Sequence, residues 1–210
     1  EFAEDIMVEI KGEEILHRCF DPDVYWEMRG GNQYLGTLRD DHENVISVEK
    51  MFYRWIIAEA DISSVLDFGC GTGVMFPAWE RLTAVHAYDR SLSMINIAKS
   101  AGYDYNIRFR NGDPRTIVPY SDQQFDLVAA CEVLPAIVPD EIGAMIEELH
   151  RVCRGYLGAV VTTPFKSETE WYFSHNYDEL LKPFFDIKES LVVAPYRFIW
   201  AKRKAGPTTQ

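Results

Sequence analysis

The stretch Val65-Leu66-Asp67-Phe68-Gly69-Cys70-Gly71-Thr72-Gly73 decides how the chain is read. An apolar run ends in a carboxylate, and three glycines follow at every second position. Glycine gives up more backbone freedom on folding than any other residue, so three of them need a reason. A loop that lets bare backbone approach a bound molecule supplies one. The run before it reads as a buried β-strand, Ser64 to Phe68, and the segment after it as a helix beginning near Val74.

Outward from this stretch the pattern alternates. β-Rich runs occur at 84–88, 105–110, 125–130 and 157–163. Helical patterns fall between several of them. Ser91 is placed to cap a helix that runs to Ser100. In Asp140–Cys153, Ile142, Met145, Ile146, Leu149 and Cys153 share one face, and Gly155 is expected to stop that helix. Upstream, Val48, Met51, Phe52, Trp55 and Ile56 recur at helical spacing over 44–60, and a short helix is expected near 23–28. Downstream, Asn176 with Glu179 three residues later marks a short helix. Two strands, 184–193 and 196–203, are then joined so tightly that they must pair antiparallel. The expected fold is α/β: a Rossmann-like, doubly wound, mostly parallel seven-stranded sheet with an antiparallel C-terminal hairpin. The expected division is a lid or cap segment over 1–42, one domain over 43–204, and a tail over 205–210.

Composition bounds the function. The 210 residues are 47% hydrophobic, and 33 acidic against 21 basic side chains give a net charge of −12. A surface short of Lys and Arg counts against nucleic acid as a partner. No run approaches the roughly 18 apolar residues of a membrane span. The acidic start, Glu1 to Asp5, is unlike a secretory leader. Cys19, Cys70, Cys131 and Cys153 lack the CxxC spacing of zinc or redox sites, so no metal is expected. A cytoplasmic setting with reduced thiols follows.

The glycine loop narrows the ligand. A nicotinamide dinucleotide sits on G-x-G-x-x-G, whereas the third glycine here is Gly73, one place early. Asp67 would also crowd a pyrophosphate. The run resembles the first motif of the class I S-adenosylmethionine-dependent methyltransferases, in the small-molecule branch. Further matches follow in order: Ala87-Tyr88-Asp89, Asn111-Gly112-Asp113, Phe125 to Leu134, and Glu148 to Val152 followed by Ala159 to Pro164.

The resemblance implies S-adenosylmethionine as cofactor, bound by Asp67, Gly69, Cys70, Gly71, Gly73, Asp89, Arg90, Gly112, Asp113 and Cys131. Asp89 would accept the two ribose hydroxyls, since each is a donor and a carboxylate is acceptor-only. Its competing reading is a helix-start acid beside Ser91. Asp113 would meet the adenine amino group, or be a turn acid before Pro114. Asp67 would face the methionine ammonium or a water on it.

The loop after the fourth strand is Ala130-Cys131-Glu132-Val133-Leu134-Pro135. It departs from the Asn/Asp-Pro-Pro-Tyr loop of methyltransferases that act on amides. The acceptor is therefore expected to be a small molecule, methylated at oxygen or nitrogen. Tyr25, Trp26, Arg29, Tyr34, Trp171 and Tyr177 are candidate acceptor walls. His175 and Glu132 are candidate bases. Cys131 has no activating base and is not read as a nucleophile. Two rival functions stand beside this one: a protein- or RNA-directed methyltransferase, and a non-catalytic S-adenosylmethionine-binding protein.

Overall fold

Seven strands form one sheet in a computed structural model that describes residues 43–103, 106–113, 118–162 and 172–205, with the side chains of 43–47 set aside. The expected lid over 1–42, its short helix, the tail beyond 205, and the strand start at 105 lie outside these residues. The elements are α1 (Glu43–Ala60), β1 (Ser64–Phe68), a 3-10 turn (Phe76–Ala78), β2 (Ala84–Asp89), α2 (Leu92–Ser100) and β3 (Ile107–Asn111). Then come β4 (Phe125–Cys131), a second 3-10 turn (Leu134–Ala136), α3 (Pro139–Val152) and β5 (Cys153–Thr162). α4 (Tyr177–Leu181), β6 (Phe185–Val193) and β7 (Tyr196–Arg203) complete the order.

The sheet order is β3-β2-β1-β4-β5-β7-β6. β1 pairs parallel with β2 and with β4, and β7 pairs antiparallel with β5 and β6. The doubly wound sheet and its antiparallel hairpin are thus as the sequence implied. β1 is buried at all five positions, as a central parallel strand must be. One face is covered by α3 and α4, through Ile142, Met145, Ile146, Leu149 and Leu181. The other carries α1, the first 3-10 turn and α2, through Tyr53, Ile56, Phe76, Trp79 and Ile95.

Three local expectations are corrected. No helix begins near Val74 among the described residues: a 3-10 turn with Pro77 in its first positions takes that place. Proline lacks the N–H that a longer helix would use. Trp79 at its end drops fully into the core. Gly155 does not stop α3. The helix ends at Val152, Cys153 turns straight into β5 with extended backbone, and Gly155 lies within that strand. It is glycine because β4 slips register between Phe125 and Leu127, and a Cβ at 155 would sit 2.6 Å from the Asp126 carbonyl oxygen. Gly155→Ala should therefore cost about 1–3 kcal/mol, as overpacking does. Urea denaturation measures it, and a loss below about 0.5 kcal/mol would refute the close approach.

The third correction concerns α1. Of the five apolar positions at helical spacing, three are turned outward, Val48 at 44% exposure, Met51 at 67% and Trp55 at 42%, while Phe52 is half-buried and Ile56 buried. The buried face runs through Glu49, Tyr53 and Ile56. A carboxylate at 49 masked this face, because hydrophobic periodicity counts only apolar positions.

Candidate functional site

In an open parallel sheet a ligand binds beyond the strand ends where the order reverses. Here that point is β1, with β2 on one side and β4 on the other. A cavity opens there, lined among others by Phe68, Gly69, Gly71, Asp89, Glu132 and Ile137. β2 and β4 are two strand spacings apart, so their ends face each other across about 10 Å.

The loop from Gly69 to Gly73 is held by the end of β2. The N–H groups of Gly69 and Cys70 both donate to the Tyr88 carbonyl, at 2.8 and 3.1 Å. Gly71 N–H donates to Asp89 Oδ2 at 2.8 Å, and Ser91 N–H to Asp89 Oδ1 at 2.8 Å. Asp89 therefore clamps the glycine loop and fixes the start of α2, where the Ser91 hydroxyl accepts from Met94 N–H at 3.1 Å. The helix-start reading of Asp89 holds, and the same carboxylate lines the cavity.

Gly69, Gly71 and Gly73 all have left-handed backbone. At Gly71 φ is +52°, and a Cβ would meet only the Met94 sulfur, at 3.7 Å. The missing side chain leaves the cavity wall bare. Gly73 serves packing instead: a Cβ there would strike the Phe76 ring at 2.6 Å, and its carbonyl accepts from the Tyr103 hydroxyl at 3.1 Å.

Of the expected cofactor residues, Gly69, Gly71, Asp89, Arg90 and Cys131 line the cavity. Cys70 is buried beneath the loop. Gly112 packs on Tyr88, whose hydroxyl would lie 2.6 Å from a Cβ at 112. That hydroxyl is buried without a hydrogen-bond partner on a residue lining the cavity, and Asp113 lies within its electrostatic reach. Asp67 departs from expectation. It is 1% exposed and accepts the Trp79 indole N–H at 2.8 Å, so a protein donor takes the place foreseen for a ligand. Burial pushes its carboxyl up to about 7, against the Trp79 bond and with the Asp89 charge adding to the rise. Phe68, Met94, Val133, Ala136, Ile137 and Tyr172 also line the cavity, though the sequence reading had not singled them out.

The two candidate bases differ. His175 does not line the cavity. Its Nε2 meets the Ile137 carbonyl at 2.9 Å, and Phe173 N–H donates to the Pro135 carbonyl at 2.7 Å. Those bonds pin 173–175 against the loop after β4, so His175 holds the wall in place. Glu132 does line the cavity, at the end of β4, with left-handed backbone at φ +55°. A non-glycine residue held there is strained, and such strain concentrates at functional sites. Its Oε2 accepts from the Thr162 hydroxyl, and its Oε1 is buried without a partner. Burial pushes the carboxyl up to about 7, the Thr162 bond opposing and the Glu49 charge adding.

Glu49, from α1, is the residue the sequence reading missed. It is 5% exposed and accepts the Cys131 thiol. Burial pushes it up to about 7, against that bond and the Lys50 charge. Burial and the nearby carboxylates push the Cys131 thiol well up, away from a nucleophilic thiolate. The wall residues Tyr25, Trp26, Arg29, Tyr34 and Trp171 lie outside the described residues. Tyr177 is 4% exposed, and its hydroxyl is buried without a partner within electrostatic reach of Glu132.

Glu49 gives a pH prediction. Its folded value, about 7, lies above the usual carboxylate value of 4.5. Stability is therefore greatest below about 4.5 and falls as pH rises towards 7. Glu49→Gln removes that fall. It should match the wild type at about pH 3.5 and exceed it by about 1–3 kcal/mol at pH 8. Denaturation at both pH values checks this, and a variant less stable at pH 8 would overturn it.

Residues 65–155 match the family model described as a methyltransferase domain. Residues 65–155 are thus a methyltransferase domain, and the fold is that of the class I enzymes. This is an enzyme domain, and the methyl donor of its class is S-adenosylmethionine. Solved structures share the methyltransferase fold. Magnesium protoporphyrin IX methyltransferase from Synechocystis PCC 6803 with bound SAM is 18% identical, over 90% of this chain and 100% of that one, with a TM-score of 0.70. The N-methyltransferase NodS from Bradyrhizobium japonicum WM9, in complex with S-adenosyl-L-homocysteine, is 14% identical, over 89% and 100%, with a TM-score of 0.75. A methyltransferase from Aquifex aeolicus is 19% identical, over 89% and 100%, at 0.64. No curated protein matches the chain. Among the described residues no helix is long and apolar enough to cross a membrane, and no group of His, Cys, Asp and Glu is arranged to hold a metal ion.

The methyltransferase cavity suits the donor. Gly71 leaves the wall bare, Asp89 places a carboxylate on the lining, and Met94, Val133 and Ile137 give an apolar surface.

Proposed function

We propose that the methyltransferase transfers the methyl group of S-adenosylmethionine to an oxygen or nitrogen of a small-molecule acceptor. One observation carries this reading: a single cavity is faced by Asp89 from the end of β2 and by Glu132 from the end of β4. Two solved neighbours, a magnesium protoporphyrin IX methyltransferase and an N-methyltransferase, support a small acceptor.

Bound S-adenosylmethionine supplies a sulfonium whose methyl carbon is open to in-line attack. Asp89 holds the ribose hydroxyls, and the bare backbone at Gly69 and Gly71 lets the donor lie close. The apolar wall excludes water, which matters because positive charge disperses as the methyl moves. Glu132 stands on the acceptor side as the group able to take a proton, with its carboxyl near neutrality. Holding both partners in line supplies the main acceleration.

Calorimetry tests the reading. S-Adenosylhomocysteine should bind with measurable heat and raise the melting temperature, while NADH should do neither. The reverse result would overturn it. A screen of small metabolites for release of S-adenosylhomocysteine then finds the acceptor.

A further inference from the structure

Glu132 is unusual for a buried acid because half of its carboxylate has no donor. Oε2 is taken by the Thr162 hydroxyl, while Oε1 is shielded from solvent and unbonded in a residue that lines the cavity. Leaving a charged oxygen so placed is costly unless something arrives to bond it. Glu49 stands behind, joined to the Cys131 thiol, and Cys131 lines the same cavity. Tyr177 adds a hydroxyl that is buried and unbonded within electrostatic reach of Glu132.

Among the described residues, Lys50 and Arg197 are engaged elsewhere. Lys50 acts on Glu49 rather than Glu132. Arg197 bonds Asp178 at 2.6 Å. Arg90 lines the cavity beside Asp89, at the end of β2 and so two strands away. Among the described residues, the β4 side of the cavity thus carries the Glu132 carboxyl with Glu49 in its electrostatic reach and no cation paired to it.

We propose that the acceptor is an amine, which enters as its ammonium ion and is held by Glu132 with Glu49 completing the negative field. This rests on the methyl-transfer reading above. An ammonium presents several N–H donors, one of which can satisfy Glu132 Oε1, and its charge is complementary to the carboxylate. An alcohol has one donor and no charge, and a carboxylate is repelled. The chemistry balances. The amine nitrogen gives one proton to Glu132. Its freed lone pair forms the bond to the methyl carbon, and the carbon–sulfur bond breaks with its electron pair on sulfur. The sulfonium becomes a thioether, and the product is an N-methylammonium ion. Carboxyls held near neutrality by burial suit the proton transfer.

The test uses two matched sets on the full chain loaded with S-adenosylhomocysteine: 2-phenylethylamine, 2-phenylethanol and 3-phenylpropanoate, and hexylamine, hexanol and hexanoate. At least one amine should raise the melting temperature at millimolar concentration and bind tenfold or more tighter than its alcohol and its acid. Glu132→Gln should abolish that preference and Glu49→Gln weaken it threefold or more, both still binding S-adenosylhomocysteine. Thr162→Val, which frees Glu132, should weaken it too and serves if Glu132→Gln does not fold. Amines that bind no better than their alcohols and acids in both sets overturn the proposal and leave the donor site standing. Failure to bind S-adenosylhomocysteine overturns the methyl-transfer reading itself.

Discussion

Asp89→Ala should weaken S-adenosylhomocysteine binding by about 1–3 kcal/mol, roughly five- to 150-fold, because bonds to a charged group are lost. The substitution acts twice. It removes the acceptor proposed for the ribose hydroxyls, and it releases Gly71 and Ser91, whose N–H groups both bond this carboxylate at 2.8 Å. A ligand separates the two effects. A 2′-deoxy analogue of S-adenosylhomocysteine should already bind the wild type weakly, and Asp89→Ala should not distinguish it from the parent. Unchanged affinity in the variant would sink the ribose assignment. A variant that still discriminates would assign Asp89 to the loop alone.

Trp79→Ala should be the most destabilising single change among those considered. Trp79 is fully buried, packs edge-on against Tyr53 at 5.0 Å, and donates to Asp67. Truncating a buried Trp costs about 3–5 kcal/mol. A buried carboxylate left without its donor adds about 1–3 kcal/mol. Trp79→Phe keeps most of the volume and loses only the N–H, so it should cost about 1–3 kcal/mol. Chemical denaturation of the pair measures both terms. A neutral Trp79→Phe would show that Asp67 does not depend on the indole.

The pairing of Asp67 with Trp79 explains part of what the sequence left hidden. Asp67 ends a strand and precedes a glycine loop, which is where a ligand-facing acid is sought. Its partner is an indole twelve residues on, brought back by a 3-10 turn rather than the expected helix. Pro77 was visible, yet a turn of that length gives no periodicity to read.

His175 and Glu132 were equal candidates by residue type and position. The difference between them is a set of partners. The His175 ring is spent on a backbone carbonyl, whereas Glu132 keeps a buried oxygen unbonded. Glu49 was out of reach for another reason. α1 was recognised, but the stripe of Val48, Met51 and Trp55 pointed to the wrong face, and a lone acid on a helix reads as solvated.

What the sequence determined by itself is what local chemistry encodes. Buried β-runs, helix caps at Ser91 and Asn176, and a glycine loop ending a strand together specify the doubly wound sheet and the donor side of its crevice. Each of these signals lies within a few residues of its effect. Glu132 and Tyr177 were candidates from the sequence, but only the tertiary structure assembled the proposed acceptor side around them. Glu49, Glu132, Thr162 and Tyr177 come from four elements spread over more than half of the chain, and no spacing rule links them. Their meaning arises from desolvation and from which oxygen is left unbonded, and both exist only once the chain has folded around them.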